Sequence, residues 1–224
     1  METNFKNVLK TSALAIALAL SFTSCSKNDD DEKMEITASL MVVNSVEGSA
    51  AQDFYLNDSK SNNALSYGSS ASVNTTAGTQ TAVFKNTGST MANATANISV
   101  NANANQTIFF VKQADGSFGI STYADDNTTA SGKARVRFIN ISPVLSGAVN
   151  ITTSTGTSIL SSLTFKAASA YQTIDANTAL NVNMVGSLET TTIAGSEFKA
   201  GKVYTVWFDS ATSTKAKYHV IVQN

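Results

Sequence analysis

From residue 36 onward, apolar residues fall in short runs or alternate with polar ones, and clusters of Gly, Asn, Asp and Ser divide the runs. Alternation with a period of two predicts half-buried strands. In the C-terminal half the pattern predicts seven: Arg135 to Asn140, Ala148 to Thr152, Ile159 to Leu163, Tyr171 to Ile174, Ala179 to Val185, Val203 to Phe208 and Lys217 to Val222. Seven short strands suit one sandwich. The single proline, Pro143, sits just past the first strand, where a missing amide donor costs least.

The N-terminus reads differently. Lys6 and Lys10 precede an apolar stretch from Ala13 to Leu20, which leads through Ser21, Phe22 and Thr23 to Ser24 and Cys25. This is a signal-peptide layout, and the stretch falls short of the roughly 18 to 20 apolar residues of a membrane span. Residues 1–24 are therefore expected to be removed. Phe22-Thr23-Ser24-Cys25 resembles the lipobox of bacterial lipoproteins, with Phe22 and Thr23 departing from its commonest form. Cys25 is the only cysteine and has no disulfide partner; acylation accounts for it. At about 0.8 kcal/mol per buried methylene, the two or three acyl chains of a mature lipoprotein give a stable membrane anchor. Residues 25–35 then form a charged tether that cannot pack into a core. Within it, Asp29, Asp30, Asp31 and Glu32 resemble the acidic export signal of Bacteroidota surface lipoproteins. The resemblance implies an outer-membrane address facing the cell exterior, with a periplasm-facing lipoprotein as the alternative.

The rest of the chain repeats. Val42-Val43-Asn44 answers Phe138-Ile139-Asn140, Leu65-Ser66-Tyr67 answers Leu163-Thr164-Phe165, and Gly88-Ser89 answers Gly186-Ser187, at separations of 96, 98 and 98 residues. Such an interval is long enough for each unit to bury its own core and too long for a solenoid. Two domains are expected, residues 36–128 and 133–224, joined by the small polar segment Asn127 to Gly132.

Ala134-Arg135-Val136-Arg137-Phe138-Ile139-Asn140-Ile141-Ser142-Pro143 resembles the opening strand of the domain-of-unknown-function 4397 family. Asp53-Phe54-Tyr55-Leu56, Leu65-Ser66-Tyr67-Gly68-Ser69, Ala77-Gly78-Thr79 and Ala200-Gly201-Lys202-Val203-Tyr204-Thr205-Val206 resemble its later sections. The second half departs from it at Asn150, where the family often has Asp, and lacks the Asp-Ala-Pro that commonly follows the proline. The resemblance implies an exported or cell-surface protein. The expected architecture is all-β: two tandem immunoglobulin-like antiparallel β-sandwiches after a lipoprotein signal peptide and a short acidic tether.

Removing Glu2, Lys6 and Lys10 with the signal peptide leaves 13 basic and 15 acidic side chains of the original 15 and 16, a formal charge near −2. Without a basic stripe, no nucleic-acid partner is expected. The one histidine, His219, alternates with Tyr218 and Val220 and is expected on the outer face of a last strand. No Gly-rich phosphate loop or nucleophile elbow is present, so neither a cofactor nor an enzyme is expected. The isolated carboxylates Asp53, Asp115, Asp175, Glu189, Glu197 and Asp209 form no calcium loop, and Asp125-Asp126 reads as a solvated turn. Trp207 lies in a strand that is apolar on both parities and is expected in the core or the domain junction. Asp209-Ser210-Ala211 resembles the O-glycosylation motif of Bacteroidota exported proteins, which implies a sugar on Ser210 if that loop is exposed. Two functions remain open: a surface-anchored binding or adhesion module for a glycan or protein, and a structural spacer or accessory subunit of an envelope assembly.

Overall fold

The computed structural model describes residues 37–224. Cys25 and the acidic run from Asp29 to Glu32 lie outside them. Among the described residues there is no α-helix, and so none long and apolar enough to cross a membrane.

The first half contains β1 (Thr37–Asn44), β2 (Gln52–Leu56), β3 (Ser59–Leu65), β4 (Ser70–Thr76), β5 (Gly78–Asn86), β6 (Ala92–Val100), β7 (Asn105–Lys112) and β8 (Phe118–Asp125). The second contains β9 (Lys133–Asn140), β10 (Val149–Thr153), β11 (Ser158–Leu163), β12 (Gln172–Asp175), β13 (Leu180–Met184), β14 (Thr190–Ile193), β15 (Val203–Asp209) and β16 (Lys217–Val222). Four four-stranded sheets result, in the orders β4-β1-β7-β8 and β3-β2-β5-β6, then β12-β9-β15-β16 and β11-β10-β13-β14. The second pair repeats the first strand for strand. Each half is thus a two-sheet sandwich with its own apolar core, one around Leu40, Phe54, Phe84 and Phe110, the other around Phe138, Ile151, Phe198 and Phe208.

Two features differ from the expected pattern. Each sandwich contains one parallel pair, β1 with β7 and β9 with β15, so its sheets are not wholly antiparallel. The second half also has an eighth strand, β14, whose sequence Thr-Thr-Thr-Ile buries only Ile193 and so shows no alternation.

Side-chain amides and carboxyls fix the same joints in both halves. Asn44 donates to the Leu65 carbonyl and accepts from the Val46 amide; Asn140 donates to Leu163 and accepts from Ser142. The edge strands β3 and β11 each carry a bulge, and there Ala64 and Ser162 take left-handed backbone angles, φ 48° and 59°. A non-glycine residue in that region costs on the order of 1 kcal/mol or more. The Asp53 carboxylate accepts from the Ala64 amide at 2.9 Å, and the Asn150 side-chain oxygen accepts from the Ser162 amide at 2.8 Å. One side-chain oxygen per half satisfies the bulge, so Asn150 serves in the second half as Asp53 does in the first.

The two sandwiches belong to one compact unit and lie side by side. Strands β1, β7, β9 and β15 are apolar on both parities. One set of side chains enters its own sandwich, and the other forms a third core from Val43, Phe109, Val111, Ile139, Ile141, Trp207 and Ile221. Residues at equivalent registers share it, Val43 and Ile139 as well as Phe109 and Trp207, and the last two rings meet. This is the logic of an isologous dimer within one chain.

Candidate functional site

The strand directions sort the molecule into two poles. At the near pole lie Thr37, the connection between Asp125 and Lys133, and Asn224, which bonds to Lys202 and Val203. At the far pole lie the loops after β1, β3, β5, β7, β9, β13 and β15. The polar contacts between the halves follow the same division.

Near the chain's entry, Arg137 pairs with Asp125, their side chains only 4% and 1% exposed. Arg137 also donates to the Ala124 carbonyl and to Thr205, and Thr107 donates to Asp125. Gln223 bridges Thr107 and Thr205, residues at equivalent positions in the two sheets. Burial pushes the Asp125 carboxyl above its usual range, against the opposing pull of Arg137 and Thr107. Asp125 is therefore not part of a solvated turn: it ends β8 inside the junction. Only Asp126, paired with Arg135, is exposed.

At the far pole, Tyr67 of the first half donates to Asp209 of the second. His219 Nε2 lies 3.1 Å from Asp209 and 3.2 Å from Tyr67, and Lys217 pairs with Glu47 at 2.5 Å. The His219 ring stacks on Trp207 with centroids 3.8 Å apart and planes 6° from parallel. Burial first, then the hydrogen bond and charge of Asp209, push the Tyr67 phenol far above its usual range, so it remains a donor. This corrects the outer-face expectation for His219. It does face away from its own core, but the other sandwich covers that face and leaves the side chain 19% exposed. Trp207 lies fully buried at the junction.

Above this cluster the halves leave a cleft of about 280 Å³, with Ser45, Val46, Glu47 and Lys112 on one side and Pro143, Val144 and Asp209 on the other. Ser210 lines it but is 8% exposed. Its hydroxyl donates to the Thr212 carbonyl at 2.6 Å and to Lys215, and accepts from the Thr212 amide. The expected exposure is absent because this side chain holds the loop's turn together; residues 211–215 are the exposed part.

Asp53, singled out only as a carboxylate, accepts from three groups of the first sandwich. Burial opposes its ionisation, but hydrogen bonds from Lys60, Ala64 and Thr87 and the Lys60 charge hold it at about 2. It is a structural anion. Among the described residues, no group of three or more His, Cys, Asp and Glu could hold a metal ion. Nothing in the local sequence pointed to the Tyr67–Asp209–His219 cluster, whose first two members stand 142 residues apart.

No curated protein matches the chain. Residues 38–152, the whole first sandwich with β9 and most of β10, match the family described as Domain of unknown function (DUF4397), and the chain belongs to that family.

Proposed function

We propose that the chain is a lipid-anchored cell-envelope protein whose paired sandwiches present a binding surface, for a glycan or protein, at the pole opposite the anchor. On this reading the second half is a second copy of the family domain, supported by its repeated strand order and repeated Asn44/Asn140 and Asp53/Asn150 joints. The observation that carries the binding reading is the placement of exposed apolar side chains. Of six large ones, Met91, Phe118, Val144, Val185 and Leu188 lie at the far pole, and only Val222 at the near one. Scattered exposed hydrophobics are ordinary, whereas a concentration at one end marks an interaction surface.

The spacer alternative loses support from the side-by-side packing. Two sandwiches end to end would double the reach. Here both occupy one strand length, about 26 Å for the eight residues of β1.

A photo-cross-linking residue placed at Leu188 tests the reading on intact cells, with Val222 as the control position. Specific adducts from position 188 and none from 222 are expected, as proteins or, if proteins are absent, as glycans. Equal adducts from both positions, or none from either, would reject a far-pole binding surface.

A further inference from the structure

The internal repeat provides a comparison for one groove. In the second sandwich, the edge between β14 and β16 opens into a mostly apolar groove of about 340 Å³, lined by Thr191, Ala211, Ala216 and Tyr218 with Lys215 and Lys217 at its rim. In the first sandwich a half-covered ring lies over the corresponding edge. The pairing Phe110 with Ile120 corresponds to Phe208 with Tyr218, and two residues earlier on the last strand of each half, Phe118 corresponds to Ala216. The Phe118 ring packs on Phe110 with centroids 5.1 Å apart. Ala216 offers no ring, and Phe208 stacks on Phe138 on its own core side. The edge strand is also cut back, from nine residues in β6 to four in β14.

We propose that this groove receives an aromatic side chain from a partner protein, seated as Phe118 is seated in the first sandwich, with a carboxylate on the partner's adjoining residue paired to Lys215. Two observations fix the occupant's chemistry. The same framework in the same chain fills this place with a phenylalanine. Lys217 is already paired with Glu47, whereas Lys215 makes no ion pair with any described residue and so presents a cation at the rim. Glu189, which does not line the groove, accepts from Thr214. The inference rests on the far-pole binding reading and narrows its partner to a protein.

The test is a titration of the ¹⁵N-labelled full chain with a blocked Gly-Phe-Asp-Gly peptide, followed by amide shifts. Saturable shifts confined to Thr191 and residues 210–218 are expected. Replacing the peptide's phenylalanine by alanine, or introducing Ala216→Phe, should weaken binding about fivefold or more, since a ring seated as Phe118 is, 41% exposed, buries somewhat more than half of its area. Absence of saturation, or equal affinity for the alanine peptide, overturns the assignment, as does undiminished binding to a folded Ala216→Phe chain. Should that variant fail to fold, Phe118→Ala decides: it opens the equivalent edge, and a second saturable set around residues 112–120 is expected, its absence counting against the proposal. Loss of the groove alone leaves the adducts at position 188 intact, so the two readings fail separately.

Discussion

Phe109 and Trp207 hold equivalent places in the two sandwiches and meet edge to face across the junction, with ring centroids 5.9 Å apart and planes at 72°. Each half therefore has an internal core and a second apolar face that only the other half covers. A fragment of residues 133–224 keeps the core around Phe138 and Phe208 but uncovers Trp207, Ile139, Ile141 and Ile221. It is expected to fold, to show red-shifted tryptophan emission as a monomer relative to the whole chain, and to lose that shift when it pairs with itself or with a fragment of residues 37–128. Fluorescence and sedimentation check this. A monomeric fragment with unshifted emission would mean that the junction adds nothing to the burial of Trp207.

The two sandwich cores were legible in the sequence because alternation reports which face a strand buries. The repeat was legible because Asn44 and Asn140 recur with their apolar neighbours. The junction was harder to read. His219 alternates as a surface residue should, and its one-residue environment carries no sign that a second sheet lies over it. Asp125 looked solvated because it adjoins the linker, yet its partner Arg137 lies beyond that linker, 12 residues on. Ser210 shows the same limit: its motif is local, but its burial depends on the turn made by Thr212 and Lys215.

Acid should weaken the first sandwich through Asp53. Its pKa of about 2 in the folded chain lies below its ordinary value of 3.8, so the folded state binds fewer protons and gains stability above pH 4. That contribution disappears as pH falls from about 4 through 2. Asp53→Asn copies Asn150: it keeps an acceptor for the Ala64 amide and removes the titrating charge. Its thermal midpoint should therefore depend less on pH over this window than that of the unchanged chain. Asp53→Ala should cost about 1–3 kcal/mol at neutral pH, because the left-handed Ala64 loses its acceptor. Identical pH profiles for Asp53→Asn and the unchanged chain would remove Asp53 from the account of acid stability.

The proposed attachment through Cys25 predicts a clean loss on substitution. Cys25→Ser should abolish incorporation of a fatty-acid probe when the chain is expressed in a bacterium and leave uncut precursor or a soluble exported form. Because Cys25 is the only cysteine, no other thiol can take the label. Equal labelling of the variant would refute the lipoprotein assignment and with it the placement of the near pole against a membrane.

Tyr67 and Asp209 should act as a unit. Val111 occupies the place of Asp209 in the first sandwich and packs in the junction core, so the framework accepts an apolar residue there. Tyr67→Phe keeps the ring's edge contact with His219, 5.4 Å between centroids at 75°, but removes the donor to a buried carboxylate. Leaving that acceptor short of a partner should cost about 1–3 kcal/mol in urea unfolding. Asp209→Val alone removes the carboxylate from both and leaves the Tyr67 hydroxyl with His219 Nε2, 3.2 Å away, as its buried partner. Combining the two removes both buried partners of the bond, which costs less than losing either one unmatched. The double variant should therefore be more stable than the sum of the single losses by about 1 kcal/mol. Additivity within about 0.3 kcal/mol would show that the Tyr67–Asp209 hydrogen bond contributes nothing of its own to holding the sandwiches together.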